Sequence, residues 1–352
     1  MTEQLAVACA QNQFISGRIV TRVLLVTPAF HGYWRSIAGA LERLGHEVTT
    51  FRYDELASPT EKLRHKVRHE LPTRVGLGDV TGLARHQTVR SAATVRTLRP
   101  EVVLTIKGDT LTDDYWDAIA DVGSRSLLWL YDEYRRTQWT DEQLRRVGPV
   151  ASYSHLDVAA LADRGFETHF LANAYDPATA LIPHPVPAVT FVGARYPNRE
   201  ELLTQLSAAG VPVRAYGRDW SHHPVDRLRT WQWRRPALEA GRDVPLQEAW
   251  GIMAGSTATV NMHHDQDGFT MRTFEACGVG AVQLLDRADV TEFYEPGSEV
   301  AVFDSPEEAI DLCRRAGTDS QWAAGLRERA RRRTLAEHTF DHRMREVAQW
   351  WG

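Results

Sequence analysis

From Arg22 onward, short apolar runs alternate with stretches whose apolar residues recur at helical spacing, the patterns of buried strands and amphipathic helices. "RVLLVTP" is a β-branched run stopped by proline. In "HGYWRSIAGALERLGHEVTTF", Trp34, Ile37, Ala38, Leu41 and Leu44 share one helical face, Gly45 ends the helix, and "EVTTF" opens a second strand. Further strands are predicted in "EVVLTIKGD", "SRSLLWLYDEY", "VASYSH" and "FETHFLANAYDP", with helices in "YWDAIADVG" and "LDVAALADRG". After the proline-rich "IPHPVPA" the alternation restarts. Strands in "VTFVGARY", "VPVRAYG", "TATVNMH", "AVQLL" and "EVAVFD" are separated by helices in "NREELLTQLSAAG", "LQEAWGIMAG" and "TMRTFEACGVG". Residues 219–243 read as a Trp-rich loop, and an Arg-rich helical tail runs to Trp350 and Trp351.

Alternation in two halves predicts an α/β protein of two Rossmann-like doubly wound domains, with a ligand in a central cleft facing the carboxyl ends of both sheets. The expected divisions are a flexible leader (1–18), an N-terminal domain (19–176), a linker (177–188), a C-terminal domain (189–335) and a last helix (336–352) crossing back to the first domain. A length of 352 residues exceeds what one core usually holds. Hydrophobic content of 43% and charged content of 25% fit a folded chain rather than extensive disorder. No apolar run approaches the length of a membrane span. "MTEQLAVACAQNQ" lacks the basic flank of a secretory signal. Cys9, Cys277 and Cys313 have no pair spacing, so neither a disulfide framework nor a zinc knuckle is indicated, and a cytoplasmic location is the simplest expectation.

The net charge of −5 is unevenly spread. Between Thr60 and Arg99, nine bases, among them Lys62, Arg64, Arg85 and Arg90, face three acids, Glu61, Glu70 and Asp79. Such a stretch is either a solvated helical face or a patch for an anionic partner.

The chemistry concentrates in "DGFTMRTFEACGVGAVQLLD", residues 267–286. A buried helix leading to a buried strand needs neither Arg272 nor Glu275. Near a helix start, however, a carboxylate can accept hydrogen bonds from the vicinal hydroxyls of a ribose. Free backbone N–H groups around Gly268, Phe269 and Thr270 can meet a diphosphate, whose charge the helix dipole favours. Arg272 can pair with either the phosphate or Glu275. The plainer alternative is a surface Arg–Glu pair on a packing helix. "HHDQD", His263 to Asp267, contains an Asp-x-Asp and two histidines, but a polar loop edging a sugar pocket is preferred to a metal site.

The ordered set "PEVVLTIKGD", "LLWLYDEY", "FLANAYDP", "VTFVGARYPNREELLTQL", "VRAYGRDW", "TVNMHHDQDGFTMRTFEACGVGAVQLLD", "EFYEPGSEVAVFDSPEEAIDL" and "HTFDHRM" resembles the CgeB-like (spore maturation) branch of the group-1 glycosyltransferases of GT-B fold, along nearly the whole chain from Arg22. The resemblance implies a nucleotide-sugar donor in the second domain and an acceptor hydroxyl approached from the first. Related retaining enzymes carry two glutamates eight positions apart. Here those positions hold Asp267, a shorter departure from the pattern, and Glu275. It further implies that Arg195 and Arg199 meet the donor phosphates in place of a metal, so that no cofactor beyond the nucleotide-diphosphate sugar is expected. Tyr216 and Gly217 either line the base pocket or form a turn. On the first domain, His31 either acts as a base or caps a loop. Gly32 accompanies His31 where acceptor and donor meet, and Lys107, Asp109 and Asp132 fall on the acceptor side, each equally readable as a turn cap or ion-pair member. An anionic acceptor, a phosphate-bearing polymer or a modified nucleic-acid base, would suit the basic stretch; a glycan or small metabolite would ignore it. A binding protein without turnover and a nucleotide-sugar epimerase are the alternatives. Trp220, Trp231 and Trp233, interleaved with Arg229, Arg234 and Arg235, pack on their own domain or stack on sugar rings or single-stranded nucleic acid.

Overall fold

The computed structural model describes residues 20–29, 32–55 and 80–351. The expected leader and most of the basic stretch, including Lys62, Arg64, Lys66, Arg68 and Arg74, lie outside the described residues. The chain divides into two units. The first runs to Ala172 and takes the chain up again from Arg343, and the second spans Asn173–His342.

In the first unit six strands, β1 (Arg22–Thr27), β2 (Glu47–Arg52), β3 (Val102–Ile106), β4 (Arg125–Trp129), β5 (Val150–Ser152) and β6 (Thr168–Phe170), form one parallel sheet in the order β2-β1-β3-β4-β5-β6. Every residue of β3 is buried, as a central parallel strand covered on both faces requires. Helix α1 (Tyr33–Arg43) buries Ile37, Ala40 and Leu41 and is followed by Gly45 at φ 96°. Helices α2 (Val80–Leu98), α3 (Asp113–Val122), α4 (Asp141–Leu144) and α5 (His155–Asp163) complete the unit. Tyr115 and Trp116 of α3 join Leu24, Val103 and Leu128 in its core, and the Tyr115 hydroxyl is satisfied by Thr105 at 2.8 Å. At the chain's end Trp350 stacks on His169 (4.3 Å), Trp351 sits edge-on to His46 (5.6 Å), and the Trp351 carbonyl accepts from Arg125.

The second unit repeats the architecture with β7 (Val186–Val192), β8 (Val213–Tyr216), β9 (Glu239–Gly241), β10 (Ser256–Asn261), β11 (Gln283–Leu285) and β12 (Ala301–Val302), all parallel, in the order β12-β11-β10-β7-β8-β9. This is the doubly wound order in which strand succession reverses once, between β7 and β10, and ligands of such sheets bind beyond the carboxyl ends at that point. Its helices are α6 (Pro197–Ala208), α7 (Pro224–Thr230), α8 (Leu246–Gly255), α9 (Met271–Gly278), α10 (Pro306–Thr318) and α11 (Ser320–Glu337); α12 (Phe340–Gln349) begins here and ends in the first unit. No helix among the described residues is long and apolar enough to cross a membrane.

Three elements differ from the sequence reading. Strand β7 starts at Val186, inside the expected linker. Val186 pairs with Ser256 and Val189 with Ala258, so β7 spends one extra residue in a bulge. Pro187, with no N–H to donate, fits there although β7 is central. The preceding residues are packed onto the unit rather than free: a Cβ on Gly251 would stand 1.7 Å from the Ile182 carbonyl oxygen, and one on Gly255 2.4 Å from that of His184. The Trp-rich loop contains α7, capped by the His223 ring accepting from Val225 N–H, and the edge strand β9. The Arg-rich tail is two helices. They break at His338 and Thr339, where Tyr175 donates to the His338 carbonyl and accepts from Phe340 N–H.

Candidate active site

The two strands at the reversal deliver two loops, residues 193–196 after β7 and 262–270 after β10. Arg199, in the first turn of α6, ties them together. Its Nη2 and Nε donate to the Met262 carbonyl (2.6 and 3.2 Å) and its Nη1 to that of Ala194 (3.1 Å). Its guanidinium lies over the rings of Tyr196 (4.7 Å) and Phe191 (5.3 Å), and Tyr196 stacks on His264 at 4.9 Å. Burial pushes the Arg199 pKa below its usual value. Arg195 points elsewhere: it pairs with Glu200 (2.7 Å) and donates to the Arg234 carbonyl (3.0 Å) in the Trp-rich segment.

Gly217 explains how β7 and β8 come so close at their carboxyl ends. Its φ is 153°, and a Cβ there would lie 2.6 Å from the Gly193 carbonyl oxygen, which also accepts from Trp220 Nε1 at 2.9 Å. Tyr216 is buried against Val186, Ala188 and Ile252, with its ring over Gly241, and burial raises its pKa.

The 262–270 loop rests on a buried polar network. Asp286 accepts the His263 backbone N–H (3.0 Å) and faces its Nδ1 (3.0 Å), while His263 Nε2 meets Thr273 Oγ1 at 3.2 Å. Asn261 donates to Thr273 and Gln283 (3.0 Å each), and Gln283 donates to the Thr273 carbonyl (3.0 Å). His263 is therefore committed to holding the loop, whereas His264 is exposed beside Asp265. Arg287 covers the Phe269 ring at 4.3 Å and donates to the carbonyls of Gln266 (3.0 Å) and Gly268 (3.3 Å). Asn173 takes that of Phe269 (2.9 Å).

With these carbonyls held, the loop runs into α9 at Thr270, whose side chain makes no capping bond, and the first turn carries no acid. Open N–H groups and an unopposed dipole leave this start able to receive an anion. Asp267 is half-buried just before it. Glu275 is fully buried within α9, with Oε2 2.9 Å from Nη1 of Arg272, whose side chain is 25% exposed. Thus Gly268, Phe269, Thr270, Arg272 and Glu275 gather at one helix start, Arg199 braces the loop before it, and Arg195 and Tyr216 face their own surroundings.

In the first unit His31 lies outside the described residues. Gly32 caps α1 at φ 78°. Lys107, at φ 63°, pairs with Asp132 (3.2 Å), and Asp109 accepts from Gln138 N–H (3.2 Å). Lys107 and Asp109 follow β3 and Asp132 follows β4, so these three meet at neighbouring carboxyl ends. Tyr131 adds another left-handed residue, at φ 61°, and such outliers concentrate where structure serves function. Glu133 is fully buried between Arg136 (2.6 Å), Arg135 (3.1 Å) and Tyr153 (3.2 Å).

Residues the sequence reading passed over are Asn261, Thr273, Gln283, Asp286 and Arg287. The readable signal was a polar residue inside each of two apolar strands, "TVNM" and "VQLL". Arg287 carries none.

Residues 198–349 match the protein family described as Glycosyl transferase-like. No curated protein sequence matches the chain. Among solved structures, the chain is similar to Anabaena HepE in complex with UDP-glucose, with a TM-score of 0.59 at 13% identity, over 93% of this chain and 98% of that one. It is similar to AviGT4, a glycosyltransferase involved in avilamycin A biosynthesis (0.60, 15%, 94% and 97%), and to sucrose-phosphate synthase from Thermosynechococcus elongatus (0.58, 13%, 94% and 98%). The architecture, two parallel-sheet Rossmann-like units, is the GT-B fold.

Proposed function

We propose that this protein is a CgeB-like glycosyltransferase that moves a sugar from a nucleotide-diphosphate donor to an acceptor hydroxyl, with retention and without a metal. The observation that carries the reading is the start of α9: an uncapped helix at the strand reversal, its preceding carbonyls held away, with the partly exposed Arg272 in its first turn paired to the buried Glu275 one turn inside. HepE, solved with UDP-glucose on a similar fold, supports a nucleotide sugar as the ligand.

In this reading the diphosphate lies against the N–H groups of the α9 start. Arg272 turns from Glu275 to the phosphates, and Glu275 takes the ribose hydroxyls in exchange. Asp267 steadies the sugar. Arg199 holds the loop, and Arg272 with the N–H groups of the α9 start stabilises charge that builds on the leaving phosphate, as fixed cations and dipoles in a dry site do effectively. The acceptor oxygen attacks the anomeric carbon as the bond from that carbon to the phosphate oxygen breaks, and the departing phosphate takes the acceptor proton on the same face. Asp132, Asp109, Lys107, Gly32 and His31 belong to the acceptor side, and the cytoplasm supplies the donor.

Calorimetry with UDP, GDP, dTDP, CDP and their sugars, without metal, tests this on the wild type, Glu275→Gln and the half-buried Asp267→Asn. One nucleotide should bind the wild type and lose about tenfold or more in affinity with Glu275→Gln, at an otherwise folded thermal transition. No binding by the wild type, or equal binding by a folded Glu275→Gln, refutes the assignment of α9.

A further inference from the structure

The segment carrying α7 does more than close the edge of the second sheet. It is firmly anchored: Arg242 forks onto the buried carboxylate of Asp226 (2.8 and 3.0 Å), and Arg235 donates to the Ser221 carbonyl and to Thr230 Oγ1 (2.9 Å each). Trp220 of the same segment is fully buried. Yet Trp231 and Trp233 are 65% and 59% exposed, and among the described residues Trp233 enters no ring stack or hydrogen bond. Trp231 ends α7 at φ 54°, a left-handed conformation that glycine would adopt without strain. Packing accounts for neither tryptophan.

Trp233 forms one wall of a pocket of about 380 Å³, at the small end of the range for organic ligands. Tyr196, from the loop that follows β7, and Pro197, the first residue of α6, also line it. Around them stand Glu200, Gln232, Arg195 and Arg234. This set mixes hydrogen-bond donors and acceptors and has a net charge of one positive, since Arg195 is already paired with Glu200. An exposed indole without a ring partner, lining a pocket together with mixed polar groups, suits a pyranose, whose C–H face is apolar and whose edge carries hydroxyls that both donate and accept.

We infer that this pocket is a saccharide subsite, in which a pyranose ring stacks on Trp233 and its hydroxyls meet Glu200, Gln232 and Arg234. On the transferase reading that saccharide is part of a glycan substrate; saccharide binding itself does not rest on that reading. A nucleobase stacked on the same indole is the competing occupant.

An array of defined oligosaccharides probed with labelled wild type, Trp233→Ala and Trp233→Phe decides this, alongside calorimetry of the same three proteins with UDP, GDP, dTDP and CDP. The wild type should be retained on a subset of pyranosides. Trp233→Ala should lose about tenfold or more in that affinity and Trp233→Phe recover most of it, with nucleotide affinity within about twofold throughout. Trp233 is exposed, so all three proteins should share one thermal midpoint. The inference is overturned if the wild type is retained by no saccharide, if Trp233→Ala is retained equally, or if the substitution weakens nucleotide binding and leaves saccharide binding alone. Saccharide binding that depends on Trp233 in a protein that binds no nucleotide would uphold the subsite and sink the transferase reading.

Discussion

Placing a methyl group on Gly217 tests how the candidate site is held together. In Gly217→Ala the new carbon would stand 2.6 Å from the Gly193 carbonyl oxygen and 3.1 Å from Cδ1 of Trp220. Carbon–oxygen contacts normally begin near about 3.3 Å, so backbone must yield by roughly 0.7 Å. It cannot do so cheaply. Gly193 N–H is bonded to the Tyr216 carbonyl at 3.0 Å, and Trp220 Nε1 holds the Gly193 carbonyl at 2.9 Å. The backbone at φ 153° adds strain of about 1–3 kcal/mol for a side chain, and overpacking adds about 1–3 kcal/mol. A loss of about 3 kcal/mol is expected. Gly210→Ala separates the two contributions: its φ is 80°, but nothing lies within 4 Å of the new carbon, so strain alone applies, about 1–2 kcal/mol.

Both glycines belong to the second unit, so one urea transition reports both variants, read as midpoint shifts at an unchanged m-value. If Gly217→Ala costs no more than Gly210→Ala, the close approach of the β7 and β8 ends is not rigid. The surviving folded protein gives a second reading. Displacing Gly193 moves the loop that carries Arg195 and leads into Arg199, so nucleotide affinity should fall in Gly217→Ala and hold in Gly210→Ala.

Two further outcomes follow from named contacts. Arg242 holds the Asp226 carboxyl at about 2, below its ordinary 3.8, so the pair's contribution is complete above the unfolded value and is lost as pH falls through the folded one. Because Arg242 is half exposed, solvent screens the pair, so Arg242→Ala should lower stability modestly at neutral pH and flatten the loss of thermal stability between about pH 4 and 2; an unchanged acid limb would contradict this. Asp286→Ala strips His263 of its backbone and ring partner, which should cost about 1–3 kcal/mol and weaken nucleotide binding about fivefold by loosening residues 262–270; full affinity in that variant would show that the network serves stability alone.

How much of this could be read beforehand depended on the size of the units involved. Strands such as "VVLTI", buried on both faces, leave an unbroken apolar run, and α1 leaves a clear helical stripe. Strand β9 has three residues and pairs on one side only, and α7 is a seven-residue polar helix, so neither leaves a period to detect in 219–243. Prolines hid the start of β7 because their usual meaning, a break, holds except at a bulge.

The site divides along the same line. Arg199, Arg272 and Glu275 stand out as charge in or beside apolar elements, but side-chain direction is not visible there. Arg199 bonds a carbonyl 63 residues away, and Arg195, four residues earlier, turns to the Trp-rich segment instead. What decides between these directions is the strand order β12-β11-β10-β7-β8-β9, which places β10 on one side of β7 and β8 on the other. Local pattern shows alternation but not order. Two arginines on adjacent turns of one loop and helix therefore serve two different neighbourhoods: Arg199 the candidate donor loop, Arg195 the candidate saccharide pocket.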